Sequence, residues 1–286
     1  MSQTDTAILR YAAFTKDGKG GNPAGVVLHA RGMSDEEMLK IAAEVGYSET
    51  VFITERSSTN AITVRYFSPL AEVAFCGHAT IALSAAFAEH EGSNGLILTT
   101  KAGEVGVDIQ RDGAGTILAT LTSVPTHTRE ASAEEIELAL ESLRWTYDDL
   151  DTRYPIHVAY AGENHLIVAV RDRQTLAALD YDYPSLAALM AQRGWITVHA
   201  IWAETPVLFH VREPFPPGGV REDPATGAAA AAFGGYLRTL GLVNVPATVT
   251  LIQGEDNGTP SLLTIDLFAG VDNVKVTGTV SPIQPN

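Results

Sequence analysis

Three places in the chain set reactive side chains where they could act on a small molecule. Cys76-Gly77-His78 stands directly before an alanine-rich run at 79–87, and Glu222-Asp223-Pro224 stands before a second one at 225–233. Aligned on Ala79-Thr80 and Ala225-Thr226, both runs read Ala-Thr-x-Ala-x-x-Ala-Ala-Phe. An internal repeat of this kind predicts two halves on one plan, each pointing a helix N-terminus with a polar residue ahead of it at a shared cleft. The third place is Glu49, in Tyr47-Ser48-Glu49-Thr50 at the mouth of the apolar run Val51-Phe52-Ile53. A carboxylate there is either a solvated strand end or an acid/base aimed into a cleft, and the residues alone leave both open.

A helix N-terminus offers backbone N–H groups without intrahelical partners and a partial positive charge. Small residues let a ligand come close to that backbone. Gly77-His78-Ala79-Thr80 and Ala225-Thr226-Gly227-Ala228 both supply such a surface, and two facing tips would grip a carboxylate without an arginine. Two tightly packed core helices would account for the alanines equally well. They would not account for Cys76, His78 and Asp223 standing at the tips.

The elements that must position these residues follow from periodicity and punctuation. Ser34-Asp35-Glu36-Glu37 and Ser132-Ala133-Glu134-Glu135 are capping boxes opening helices, the first stopped by Gly46, the second reaching about 143. Strand patterns cover 8–14, 24–28, 51–53, 62–67, 96–101, 105–110, 116–121, 157–160, 165–170, 195–203, 207–211, 249–252, 262–268 and 274–280. The two alanine-rich helices are expected from about 79 to 90 and 226 to 240, with further helices at 174–179 and 184–193. The segment 123–128 carries a proline and no periodicity and reads as the domain boundary. Many strands with one long helix embedded in each half make an α+β fold rather than a doubly wound sheet.

Bulk properties exclude several functions. The chain has 286 residues, 45% of them hydrophobic, which supports packed cores. A net charge of −15 disfavours nucleic acid and anionic membrane as partners. One cysteine permits no intrachain disulfide and fits a reducing compartment. Residues 1–10 lack a signal-peptide core and no stretch approaches the ~20 apolar residues of a membrane span, so a cytoplasmic protein is expected. The single cysteine and eight histidines show no zinc spacing, so no metal site is expected. The turn cluster Asp17-Gly18-Lys19-Gly20-Gly21-Asn22-Pro23 lacks the ending of a phosphate-binding loop.

Tyr47-Ser48-Glu49-Thr50-Val51-Phe52, Phe75-Cys76-Gly77-His78-Ala79-Thr80 and Arg221-Glu222-Asp223-Pro224-Ala225-Thr226-Gly227 resemble the PhzF (phenazine-biosynthesis-like) family. Gly21-Asn22-Pro23-Ala24-Gly25-Val26-Val27 and Gln253-Gly254 also fit, so the resemblance runs from Phe14 to about Gly278. It implies the diaminopimelate-epimerase-like fold: two pseudo-symmetric lobes, each a mostly antiparallel curled sheet around a central helix, with the active site between them. The N-terminal lobe would be 1–124, completed by a C-terminal strand at about 276–286, and the C-terminal lobe 125–275. By resemblance Glu49 is the general acid/base, His78 orients or polarises the substrate, and Asp223 meets a nitrogen group. Gly77, Gly227 and Ala228 would hold a substrate carboxylate, with Asn22 and Cys76 also lining the site. The resemblance further implies a homodimer and a small carboxylated, amino-acid-derived substrate, with no cofactor.

Two departures bear on the substrate. Ala228 stands where many members carry serine, and Gly258-Thr259-Pro260-Ser261 lacks the arginine many carry there. Cys76 takes the place of one of two catalytic thiols in related racemases. With no second cysteine a two-thiol racemase is excluded, while a mixed Glu49/Cys76 scheme and a merely apolar role for Cys76 both stay open. Three readings remain: an isomerase moving a proton and a double bond, an amino-acid epimerase or racemase, and a ligand-binding protein without catalysis.

Overall fold

A computed structural model describes residues 7–284. The opening residues 1–6, on which much of the leader reading falls, and the end of the closing strand at 285–286 lie outside the described residues. In chain order the elements are β1 Leu9–Ala13, β2 Asn22–Val27, α1 Asp35–Val45, β3 Glu49–Arg56, β4 Ala61–Phe67, β5 Glu72–Val73, α2 Gly77–Glu91, β6 Gly95–Thr100, β7 Gly103–Arg111 and β8 Ile117–Thr122. There follow β9 His127–Glu130, α3 Ala133–Leu143, β10 His157–Tyr160, β11 Asn164–Val170, α4 Arg173–Ala177, α5 Tyr183–Arg193, β12 Trp195–Thr205, β13 Leu208–Arg212, α6 Gly227–Thr239, β14 Ala247–Gln253, β15 Ser261–Leu267 and β16 Lys275–Pro282. The chain divides into two compact units, one up to 122 together with the residues from 277 onward, the other 123–276.

In the first unit the strands run in the order β1-β2-β3-β4-β6-β7-β8-β16, and β16 pairs with β1 to close the ring. The neighbours β2–β3 and β4–β6 are parallel. The short β5 pairs with β4 off this ring, and the interior holds α2. Residues 78–88 of α2 are buried without a break, as a helix apolar on all sides must be. Alanines make this possible by letting strands approach the helix backbone. Outside the ring, α1 packs Met38 and Ala42 against Val27, Phe52 and Phe67. Its predicted capping box forms, and Gly46 ends it in the left-handed conformation at φ 72°.

In the second unit the order is β15-β14-β13-β12-β11-β10-β9, with β11–β12 and β13–β14 parallel. This sheet wraps α6, whose residues 229–237 are all buried. On its other face α3 and α5 cover a second core that includes Leu140, Leu143, Leu186, Met190 and Trp195. The architecture is the expected α+β one, a mostly antiparallel curled sheet around a central helix in each unit.

Three local differences from the sequence reading have physical reasons. β9 begins at the end of the segment read as irregular, and its four polar or charged residues, His127–Glu130, pair with β10 and carry no apolar alternation to betray a strand. The two-residue β5 is too short to show a period. α2 starts at Gly77 rather than near 79, because the Thr80 N–H and hydroxyl both donate to the Cys76 carbonyl at 3.1 and 2.7 Å.

The closeness of sheet and helix in the second unit yields a test. A Cβ on Gly235 would stand 2.3 Å from Thr126 Oγ1. Thr126 cannot swing aside, since its hydroxyl donates to Asp272 O at 2.8 Å and accepts from Arg238 at 2.8 Å. Overpacking costs about 1–3 kcal/mol, against a gain of about 1 kcal/mol from replacing a helical glycine by alanine. Gly235→Ala is therefore expected to lower the unfolding free energy by up to about 2 kcal/mol in urea titrations. A variant stabilised by the propensity term would contradict this packing.

Candidate active site

The first unit gathers three of the predicted residues at the N-terminus of α2. Glu49 opens β3 beside Ala24 of β2. Parallel neighbours share a face and side chains alternate along a strand, so Asn22, two residues before Ala24 and buried, lies on the face that Glu49 shares. Cys76 and His78 come from the tip of α2. The Cys76 thiol donates to Glu49 Oε2 at 3.6 Å, and His78 Nε2 lies 3.4 Å from the same oxygen. Cys76 Sγ is 3.2 Å from His78 Nδ1, and Ser48 Oγ is 3.2 Å from His78 Nε2. The side chains of His78 and Glu49 are only 7% and 14% exposed. Burial pushes His78 below its ordinary range, only partly offset by the Glu49 charge. The imidazole is therefore neutral near pH 7.

The helix tip is itself pinned. The Thr80 hydroxyl is spent on the Cys76 carbonyl, so the Tyr66 O–H, 2.6 Å away, must be the donor to Thr80 Oγ1. Burial raises the Tyr66 phenol far above its ordinary value, which keeps that donor protonated. No side chain caps α2, and Gly77, at its first position, adds no bulk over the tip. The N–H groups of the first turn are thus available to an anion by construction.

Glu49, Cys76 and His78 place one ligand atom each within 4.8 Å of one another, a grouping that sequence spacing could not reveal. An ion held on His78 Nε2 does not fit the trio. A metal on the Nε2 lone pair, facing Glu49, would need the Cys76 sulfur farther from Nδ1 than from Nε2. The order is the reverse, 3.2 Å against 3.8 Å. The geometry suits proton exchange between neighbours better than ligation.

The second unit holds Asp223, Gly227 and Ala228 at the N-terminus of α6. Asp223 is buried, and its N–H donates to Glu213 O at 3.0 Å. The Thr226 hydroxyl donates to Asp223 Oδ2 at 2.6 Å. The preceding Glu222 forms a buried bidentate pair with Arg212. Gly227 and Ala228 open the helix, and no side chain caps it. Behind this loop, Glu213 is fully buried and accepts from the Thr197 hydroxyl and from His199 Nδ1 at 2.6 Å. The Thr197 hydroxyl is thereby spent, so His165 Nδ1, 2.7 Å away, donates to it. Burial, with His199 beside it, pushes His165 down to about 3.

Sequence reasoning assigned no role to Ser48, Tyr66, Thr80, Thr226 or Gln253. Their partners lie 14 to 30 residues away or depend on where a hydroxyl points, so spacing carried no signal. Ser48, Thr80, Thr226 and Gln253 stood in the motifs singled out, and Tyr66 did not.

A curled sheet around a buried helix in each unit, with a carboxylate, a thiol and a neutral imidazole at one helix tip, defines an epimerase-like isomerase fold. The family model described as phenazine biosynthesis-like protein matches residues 11–284. The chain belongs to that family. An isomerase of Clostridium acetobutylicum that is otherwise uncharacterized is 32% identical over 80% of this chain and 78% of its own. The trans-2,3-dihydro-3-hydroxyanthranilate isomerase of Pseudomonas chlororaphis is 28% identical over 88% of this chain and 86% of its own. Among solved structures, a PhzF-family protein of Bacillus anthracis superposes with a TM-score of 0.86 at 26% identity, covering 97% and 96% of the two chains. A hydroxyproline epimerase of Agrobacterium vitis shares the fold at a TM-score of 0.66 and 15% identity, over 99% and 92%. Among the described residues no helix is long and apolar enough to cross a membrane.

The buried histidines set a pH dependence. His165 stays neutral in the fold down to about pH 3, while in the unfolded chain it takes a proton near 6.5. Between these values the unfolded state binds more protons, so stability falls as pH drops below 6.5. From pH 7 to pH 5 this histidine accounts for a loss of about 2 kcal/mol. His78 and His157 are displaced in the same direction. Urea unfolding at pH 7 and pH 5 reads the loss directly, above the range where carboxylates titrate. Equal free energies at the two values would mean that these imidazoles are not held neutral.

Proposed function

We propose that the protein is a cofactor-independent isomerase moving a proton, and with it a double bond, in a small carboxylated, amino-acid-derived and cyclic unsaturated substrate. The observation that carries this reading is Glu49: a largely buried carboxylate whose Oε2 is met by a thiol and by a histidine that burial holds neutral. A general acid/base must take a proton from one carbon and return it to another, and a mostly dry setting of uncharged partners favours such exchange. In this scheme Glu49 removes the proton, the electron pair delocalises through the conjugated acid, and the same carboxyl returns the proton at the far carbon. His78 orients the substrate, the N–H groups at Gly77 are the anion site that the first unit supplies, and those at Gly227-Ala228 are the one that the second unit supplies. Asp223 receives its nitrogen group, and Asn22 and Cys76 line the site.

The relative from Pseudomonas chlororaphis supplies the first compound to try, trans-2,3-dihydro-3-hydroxyanthranilate. Incubated in heavy water and followed by proton NMR, it is expected to show isomerisation with a proton relocated on the ring. Glu49→Gln keeps the size of the side chain and removes its basicity. It is expected to lower turnover about 10²- to 10⁴-fold with the circular dichroism unchanged. A Glu49→Gln protein as active as the parent would end this assignment.

A second reading, amino-acid epimerisation, needs a second proton-handling group near Glu49, and the Cys76 thiol, 3.6 Å from Glu49 Oε2, is the candidate. Deuterium entering Cα with inversion and no double-bond movement, lost in Cys76→Ala, would select it over the first.

A further inference from the structure

The hydrogen bonds that link Gln253, Thr226 and Asp223 have fixed directions. Gln253 is fully buried at the end of β14. Its Oε1 faces the Thr226 N–H at 3.2 Å, which can only donate. Its Nε2 faces the Asp223 carbonyl at 2.8 Å, which can only accept. These two backbone groups settle which end of the amide is which. Nε2 also donates to Thr226 Oγ1 at 3.0 Å. The single hydroxyl hydrogen of Thr226 therefore goes to Asp223 Oδ2, 2.6 Å away. Gly254 lets the chain leave this amide at once: it sits at φ 72°, and a Cβ there would strike Thr259 O at 2.5 Å and Pro224 O at 2.9 Å.

We propose that Gln253 and Thr226 are positioning residues that hold Asp223 as an ionised acceptor, so that what it takes from a substrate is a donor group, a protonated amine first among them. A hydrogen bond given to the charged form of a carboxyl favours that form. Gln253 acts through Thr226, by denying its hydroxyl any other direction. The proposal rests on the reading that Asp223 faces substrate. The other ionisable groups on the segments packed here have partners of their own: Arg221 has Asp180, Glu222 has Arg212, Glu213 has His199 and Thr197, Glu255 has Arg173 and His210, and Asp256 has Arg173.

The test is the titration of the Asp223 carboxyl followed by ¹³C NMR in the full chain. Thr226→Val removes the hydroxyl at constant shape and is expected to raise the Asp223 midpoint by roughly one to two pH units. Thr226→Ser keeps the hydroxyl and is expected to stay within about 0.3 of the parent. Gln253→Glu presents an acceptor to Thr226, turns its hydroxyl away from Asp223 and is expected to raise the midpoint as well. Should Thr226→Val fold poorly, Thr226→Ala carries the same expectation. An unmoved midpoint in Thr226→Val or Thr226→Ala overturns the proposal, as does a Thr226→Ser midpoint raised as far as theirs. Turnover of trans-2,3-dihydro-3-hydroxyanthranilate separates this from the underlying reading. If Asp223→Asn turns it over like the parent, Asp223 is not a site residue whatever the titrations show. If Asp223→Asn is inactive and the Thr226 variants titrate alike, the site stands and the relay falls.

Discussion

Enclosing a helix on every side governs what that helix can carry. In the first unit a closed ring of strands surrounds α2, and residues 78–88 have no solvated face. Such a helix must be made of small side chains, or strands could not approach it. Any polar side chain along it must find its partner within the chain. Thr80 and Ser84 do so by donating back to carbonyls four residues earlier. That leaves the ends as the places where the helix can offer polar groups outward. The N-terminal end, with its unpaired N–H groups and partial positive charge, is the one suited to an anion. Cys76 and His78 stand at that end.

Both units solve the pinning of that tip in the same way. A buried donor of fixed direction gives its hydrogen to a threonine hydroxyl, which then must donate to the group at the tip. In the first unit the chain is Tyr66 to Thr80 to the Cys76 carbonyl. In the second it is Gln253 to Thr226 to the Asp223 carboxylate. Such networks orient a side chain more firmly than packing alone, because a threonine has one hydrogen to give and no freedom once a donor occupies its lone pair. The two endpoints differ in chemistry. One ends on a backbone carbonyl, beside a thiol, an imidazole and Glu49. The other ends on a carboxylate.

Much of this was legible in the residues. Both capping boxes form as written, and most strands fall within a few residues of their periodic runs. The alanine-rich helices and the polar residues at their tips were visible as a repeat. The register of that repeat was not. Alignment of Thr80 with Thr226 matched sequence, yet Thr80 lies one turn inside α2 while Thr226 is the residue just before α6. The structural counterparts are Gly77 and Gly227, the first residues of the two helices. An extra turn is cheap in a run of alanines, because every alanine fits the same enclosed space, so the run itself carries no register. Glu49 was ambiguous for a different reason. Whether a carboxylate at a strand mouth is solvated depends on what another element places over it, and that element, α2, enters 28 residues later.

The two departures from the family pattern fall on the same side of this division. Ala228 lies in the first turn of α6, and Thr259 touches Gly254 through backbone groups, its N–H bonding the Gly254 carbonyl at 3.0 Å. Neither belongs to the group formed by Ser48, Glu49, Cys76 and His78. A hydroxyl missing at 228 and a guanidinium missing at 259 remove ways of gripping a substrate, not ways of moving its proton. On the proposed reading, less grip from side chains leaves more of it to backbone N–H groups and to Asp223. Such contacts read a carboxylate and a donor and little else. On that reading the proton is moved at the tip of α2, while the choice of substrate turns on what the tip of α6 lacks.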